Sequence, residues 1–232
     1  MTDKNWHLTL STAELSTLLE YGTSSEREWS IELVRQALDI PHAAAETMAA
    51  GVASLQEKGL ISLTSLGTLD EEESMISWFL PYLWNLQDAL SFVMIAEGRR
   101  MTGVALQSKD KNKKEPAYIF AAGGGMFSSV AAVDPITRRL FSNYGHLAGS
   151  VYEQFISLLD TPDKGVAMAM TYHSPSSIAL VNAHYSQEQG WDVSTSKPGS
   201  SLSPEMIPAD VDSMEELGKV VRNGPFKALS LA

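Results

Sequence analysis

The chain has 232 residues, 44% of them hydrophobic and 19% charged, and its 17 basic against 28 acidic side chains give a formal net charge of −11. This is the composition of a folded protein, not of a disordered tail or a collagen-like rod, and the length allows one large domain or two small ones. The absence of cysteine excludes disulfides, zinc ribbons, iron–sulfur clusters and thiol nucleophiles, while the acidity disfavours general binding to the phosphate backbone of nucleic acids.

From Trp6 to about Gly67 the pattern is helical. Ser11-Thr-Ala-Glu14 has the spacing of a capping box, Leu15, Leu18 and Leu19 follow on one face, and Gly22 stops the helix. Ser25-Glu-Arg-Glu28 repeats the capping pattern before Trp29, Ile31, Leu33, Val34 and Leu38, which predicts a second helix ending ahead of Pro41. A third helix is expected from His42 to Lys58, with Met48, Val52 and Leu55 inward and Gly59 closing it, followed by a short strand at 60–63. Asp70-Glu-Glu-Glu73 reads as a solvated first turn and not as a metal site, because consecutive carboxylates fan around a helix. Met75, Ile76, Phe79 and Leu80 then form a helical face that Pro81 is expected to interrupt.

After Leu90 the texture changes to strands. Apolar runs at 92–96, 102–106, 117–121 and 127–133 are separated by polar or glycine-rich turns, the pattern of an antiparallel meander. A turn is expected at 134–139, a short strand at 140–143 and a covering helix at 151–159. Strands resume at 166–172, 177–181 and 191–195, and Asp212-Ser-Met-Glu215 caps a last helix. The fold class predicted is α+β: a helical, winged-helix-like segment over 1–67, then a mostly antiparallel sheet with flanking helices over 68–232, in two domains or one continuous one.

The templates for chemistry fail one after another. Gly123-Gly-Gly125 lacks the lysine of a phosphate loop and the third glycine of a dinucleotide fingerprint, so it reads as a hairpin turn. His7, His42, His146, His173 and His184 never fall three or four apart, and no nucleophile-elbow motif occurs. His173 and Ser174 are adjacent, which on a strand points them to opposite faces. No catalytic residue, cofactor or metal is therefore expected, and the chain is read as no enzyme. No run of about eighteen apolar residues offers a membrane span and the first residues lack a signal-peptide pattern, so a cytoplasmic protein without a membrane partner is expected.

Two clusters remain as candidate surfaces. Trp78, Tyr82 and Trp84, with Phe79, surround Pro81; the sequence leaves open whether they are core or a face for a partner. Lys109, Lys111, Lys113 and Lys114 form the densest basic loop and are expected at a hairpin tip. Three helices and a strand also have the order of a winged helix. The third helix, however, offers His42, Glu46, Thr47, Gln56 and Glu57, a set unsuited to base edges and phosphates.

Leu8-Thr-Leu-Ser-Thr-Ala-Glu-Leu15 before the first helix, Leu55-Gln-Glu-Lys-Gly-Leu60 closing a helical segment, and Met75-Ile-Ser-Trp-Phe-Leu-Pro-Tyr-Leu83 leading into strands and a glycine-rich hairpin share one layout. It resembles that of the EspG-like chaperones of the ESX (type VII) secretion systems. The resemblance lies in element order and implies a central antiparallel sheet flanked by helical bundles with internal pseudo-symmetry. It carries no functional position across. The function expected is a non-enzymatic protein–protein interaction protein, a cytosolic chaperone or adaptor for a secretion system, with a protein partner or a second copy of itself and no specific nucleic acid. The alternative is a winged-helix transcriptional regulator with a C-terminal ligand or dimerisation domain, touching nucleic acid through Arg99, Arg100 and the 109–114 loop.

Overall fold

The computed structural model describes residues 7–8, 10–96, 99–110, 117–122, 126–132, 166–197 and 202–223. The protein is α+β, with N-terminal helices followed by antiparallel strands. It divides into two compact units, residues 1–87 with 104–132, and residues 88–103 with 133–232. Residue 67 falls inside the first unit.

In the first unit, β1 (His7–Leu8) leads into α1 (Thr12–Tyr21). The capping box is formed: the Glu14 amide donates to Ser11 Oγ at 3.2 Å and the Ser11 amide to Glu14 Oε2 at 2.7 Å. Helix α2 (Glu28–Leu38) has its cap at Arg27, two residues later than the expected Ser25, with no side chain capping it, because 25–27 form a turn. It ends at Asp39, whose φ of 56° takes the left-handed form that asparagine and aspartate tolerate. Helix α3 (Ala45–Glu57) follows, and Gly59, at φ 66°, reverses the chain after it. Leu55 and Gly51 are its buried residues, while Met48 and Val52 are half-buried. Gly51 is required there, since a Cβ would collide with Thr17 Oγ1 on α1. A short hairpin, β2 (Ser62–Leu63) with β3 (Leu69–Asp70), comes next.

The stretch around Pro81 departs from expectation. Met75–Trp78 is one 3-10 turn, and α4 (Leu80–Trp84) holds Pro81 in its first turn, where a missing N–H costs no helical hydrogen bond. Proline therefore starts this helix instead of breaking one. Met75 is 57% exposed, and the buried face consists of Ile76, Phe79, Leu80 and Leu83. These join Leu15, Leu18, Leu19, Ile31, Val34 and Leu38 among the unit's buried apolar residues. A buried arginine ties the helices together: Arg35, 3% exposed, donates to the Pro41 carbonyl at 2.7 Å and pairs with Glu20 at 2.7 Å. The unit is completed by Val104–Ser108 of β5 (Arg99–Ser108), β6 (Ala117–Ala122) and β7 (Met126–Ala132). Strand β7 pairs antiparallel with β6 and with β1.

The second unit is an antiparallel sheet in the order β4–β8–β9–β10–β11. Its strands are β4 (Leu86–Ala96, from Asp88 on), β8 (Val166–His173), β9 (Ile178–Ser186), β10 (Gly190–Ser196) and β11 (Met206–Ala209). Strict alternation buries Leu90, Phe92, Met168, Met170, Tyr172, Val181, Ala183 and Val193 on one face. Helix α5 (Met214–Asn223) buries Leu217, and its cap sits one residue later than expected: Glu216 donates its amide to Ser213 Oγ, and its carboxylate accepts from Asp212 N. The Gly123–Gly125 turn, the 134–139 turn, the strand at 140–143 and the helix at 151–159 lie outside the described residues. Among the described residues no helix is long and apolar enough to cross a membrane.

Candidate functional site

The face of the second unit's sheet opposite its buried side is only partly covered. Its residues come from the alternate positions of β4, β8, β9 and β10, and the register aligns them in two rows. One row runs Val93, Ala169, Asn182, Ser194; the next runs Ile95, Ala167, His184, Asp192. Ile95 is 42% exposed, Asn182, His184 and Asp192 are exposed, and the others are half-buried. The two alanines stand on the strand between bulkier neighbours, so the face is hollowed along β8, and a cavity of about 290 Å³ opens there. Its floor and one wall are apolar, and the other wall carries an amide, an imidazole, a carboxylate and a hydroxyl.

One pleat further along the same face, Ser91 Oγ lies 2.8 Å from His173 Nε2. Burial holds the His173 imidazole down to a pKa of about 4, so it is neutral near physiological pH. Ser91 also reaches the Thr171 carbonyl at 3.4 Å. Among the described residues no carboxylate is hydrogen-bonded to the other ring nitrogen, the position from which a catalytic triad orients its base. The pair chiefly cross-links β4 to β8. Ser174, the neighbour of His173 in sequence, bonds instead to Ser177 Oγ at 2.8 Å. On the buried face Tyr172 donates to Asp88 at 3.4 Å; burial first, then the Asp88 charge, pushes its hydroxyl up to about 12.

The aromatic candidates lie elsewhere. Tyr82 and Trp84 are 7% and 3% exposed and belong to the core of the first unit, so of the two readings the sequence left open the core holds, and the candidate surface for a partner is corrected at these two positions. With Pro81 inside the helix, α4 continues its turn and carries both inward. Trp84 donates its indole N–H to the Leu18 carbonyl at 3.0 Å, and the Arg27 guanidinium lies 4.9 Å from its ring centre. Trp78 is half-buried, tilted against Phe79 at 5.4 Å. Lys109 is exposed, and its amide donates to the Asn85 carbonyl at 2.8 Å; Lys111, Lys113 and Lys114 lie outside the described residues.

Sequence reasoning missed the two rows. Their one local trace is Ala167-Met-Ala-Met170, where small and large residues alternate, together with Asn182 and His184 two apart at the end of β9. Among the described residues no group of three or more histidines, aspartates or glutamates is placed to hold a metal. No protein-family model matches the chain, and no curated protein matches it in sequence.

Proposed function

We propose that the chain is a non-enzymatic interaction protein, an adaptor or chaperone that holds a protein partner on the open sheet face of its second unit. The observation that carries this reading is the apolar half of that face: Val93, Ile95, Ala167 and Ala169 are contiguous across two strands and at least partly open to solvent. Covering open apolar surface is favourable in proportion to the area removed from water, and a partner seated here would supply that cover. The Ser91–His173 pair fits the same reading as a cross-strand hydrogen bond within the platform. A role in type VII secretion is the part of this proposal that follows from the resemblance to EspG-like chaperones, with which an α+β fold agrees, and a cytoplasmic place is the part expected from the absence of an apolar span and of a signal-peptide pattern in the sequence. The test is co-expression with the products of neighbouring genes. One product is expected to become soluble only with this chain and to elute with it at fixed stoichiometry; unchanged solubility and separate elution of every product overturn the reading.

The order α1, α2, α3, then the β2–β3 hairpin favours a second reading, a winged-helix regulator. The exposed residues of α3 are Ala45, Glu46, Ala49, Ala50, Ala53, Gln56 and Glu57, and Lys58 at its end is bound to Glu14 at 2.6 Å. Such a helix meets phosphate with acid and alanine, which places this reading second.

A further inference from the structure

We infer that Pro204 and Pro208 guard the free edge of the second unit's sheet, keeping β11 from pairing with the same strand of a second copy. Among the described residues β11 ends the strand order with β10 as its one neighbour, so its other side carries main-chain groups that no strand pairs. An open edge of this kind is a template for strand addition unless its donors are removed or its backbone is turned away. Which groups face outward follows from the register. Ser196 stands opposite Met206 and Ser194 opposite Pro208. One step beyond, the Lys197 amide donates to the Glu205 carbonyl at 2.9 Å, which makes 197 and 205 a hydrogen-bonded pair. Bonded and non-bonded pairs alternate along an antiparallel ladder, so Ile207 and Ala209 also turn their main-chain groups toward β10. Met206 and Pro208 turn theirs to the open side, and Pro204, two residues before Met206, holds the same place in the alternation. The edge therefore shows carbonyls at 204, 206 and 208 and an N–H at Met206 alone. Both prolines sit where a missing N–H costs the native sheet nothing, and Pro208 is exposed.

Two copies of β11 meeting edge to edge run antiparallel about a two-fold axis. With the axis at Met206, the two Met206 residues exchange their hydrogen bonds, and residue 204 of each copy stands opposite residue 208 of the other. Every bond of those flanking pairs needs an N–H from residue 204 or 208, and proline has none. Met206 is the one outward donor each copy offers over 204–208, so no other register adds a bond within the segment. A foreign strand would bring N–H groups of its own to the carbonyls at 204, 206 and 208. A second copy cannot, and for that reason the two prolines act most strongly against self-association.

The experiment compares the full chain with its double variant Pro204→Thr/Pro208→Val, which restores both donors through residues that suit a strand. Sedimentation over a concentration series reads self-association. Met206→Cys is then added to both backgrounds; the chain has no cysteine of its own, so this supplies a single thiol. Facing residues of a hydrogen-bonded pair lie about 5.5 Å apart at Cα, within reach of a disulfide. The double variant is expected to self-associate about tenfold or more tightly than the wild type, as several added main-chain hydrogen bonds require. On oxidation the 206–206 disulfide is expected to form in the double variant and not with both prolines in place. Melting curves show whether each variant is folded, and Pro208→Ala, which restores one donor per copy, serves with a smaller expected gain if the double variant does not fold. An unchanged association constant in the folded variants, cross-linking at 206 with both prolines present, or self-association of the double variant without that cross-link would each overturn the inference.

Discussion

The indole of Trp84 occupies the space that a side chain at residue 22 would need. A Cβ built on Gly22 collides with Nε1, Cδ1 and Cε2 of that ring, and the same Nε1 donates to the Leu18 carbonyl one turn earlier in α1. The glycine that ends the first helix is therefore also the seat of the largest aromatic residue of α4. Its backbone, at φ −78° and ψ −9°, is one that alanine adopts without strain, so the requirement for glycine is one of space.

Gly22→Ala is expected to cost about 1–3 kcal/mol by forcing the indole off its seat. Urea unfolding with an unchanged slope measures it. A loss near zero would show that Trp84 can shift without penalty.

Tyr82→Ala and Trp84→Ala should each lower folding stability by about 3–5 kcal/mol, as truncations of buried aromatic residues do. Thermal melts of the two variants check this; melting temperatures close to wild type would return these residues to the surface.

Glu14, 1% exposed, accepts hydrogen bonds from Ser54 at 2.6 Å and from the Ser11 amide, and is paired with Lys58. Burial raises its pKa, but the bonds from Lys58, Ser54 and Ser11 outweigh that and hold the carboxyl below its ordinary value of 4.5. Its contribution to stability is thus complete above that value and lost as pH falls through the folded pKa. Lys58→Met leaves the buried carboxylate short of a partner and should cost about 1–3 kcal/mol near neutral pH, with a smaller loss on acidification than in the wild type. Unfolding curves at neutral and acid pH check both halves.

His173 is neutral in the folded protein down to about pH 4, whereas in the unfolded chain it takes up a proton near 6.5. Between these values the unfolded state binds more protons, so stability rises with pH across that window and falls as pH drops from 6.5 toward 4, by on the order of 2–3 kcal/mol in all. Titration of the imidazole by NMR should place its midpoint near the lower value. His173→Gln should remove this part of the pH dependence, and an unchanged profile would refute the assignment.

A gel shift at physiological salt should show no sequence-specific complex with DNA. The exposed face of α3 presents alanine, glutamate and glutamine, and a specific complex normally exceeds random binding by about a thousandfold or more, so a positive result would be plain.

The sequence by itself determined the pieces whose physics is local. Ser11 and Glu14 are three residues apart and satisfy each other's amides whatever the rest of the chain does, and Gly59 ends α3 because its own backbone allows a positive φ. The strands declared themselves as short apolar runs between polar or glycine-rich turns, the pattern of an antiparallel meander. Even so, the local reading failed at Pro81, where a helix start and a helix break look alike until the flanking turns are seen. Only the tertiary structure decided which residues meet across long stretches of chain. Trp84 is 66 residues from the carbonyl it binds, and Ser91 is 82 from His173. The hollow along β8 is more remote still from local patterning, because it arises when two alanines, small for no reason visible in their own strand, are set by register between Val93 and Ile95 on one side and Asn182 and His184 on the other. Side-chain size is written in the sequence; which neighbour stands beside each side chain is settled by strand pairing, and pairing is a property of the folded sheet.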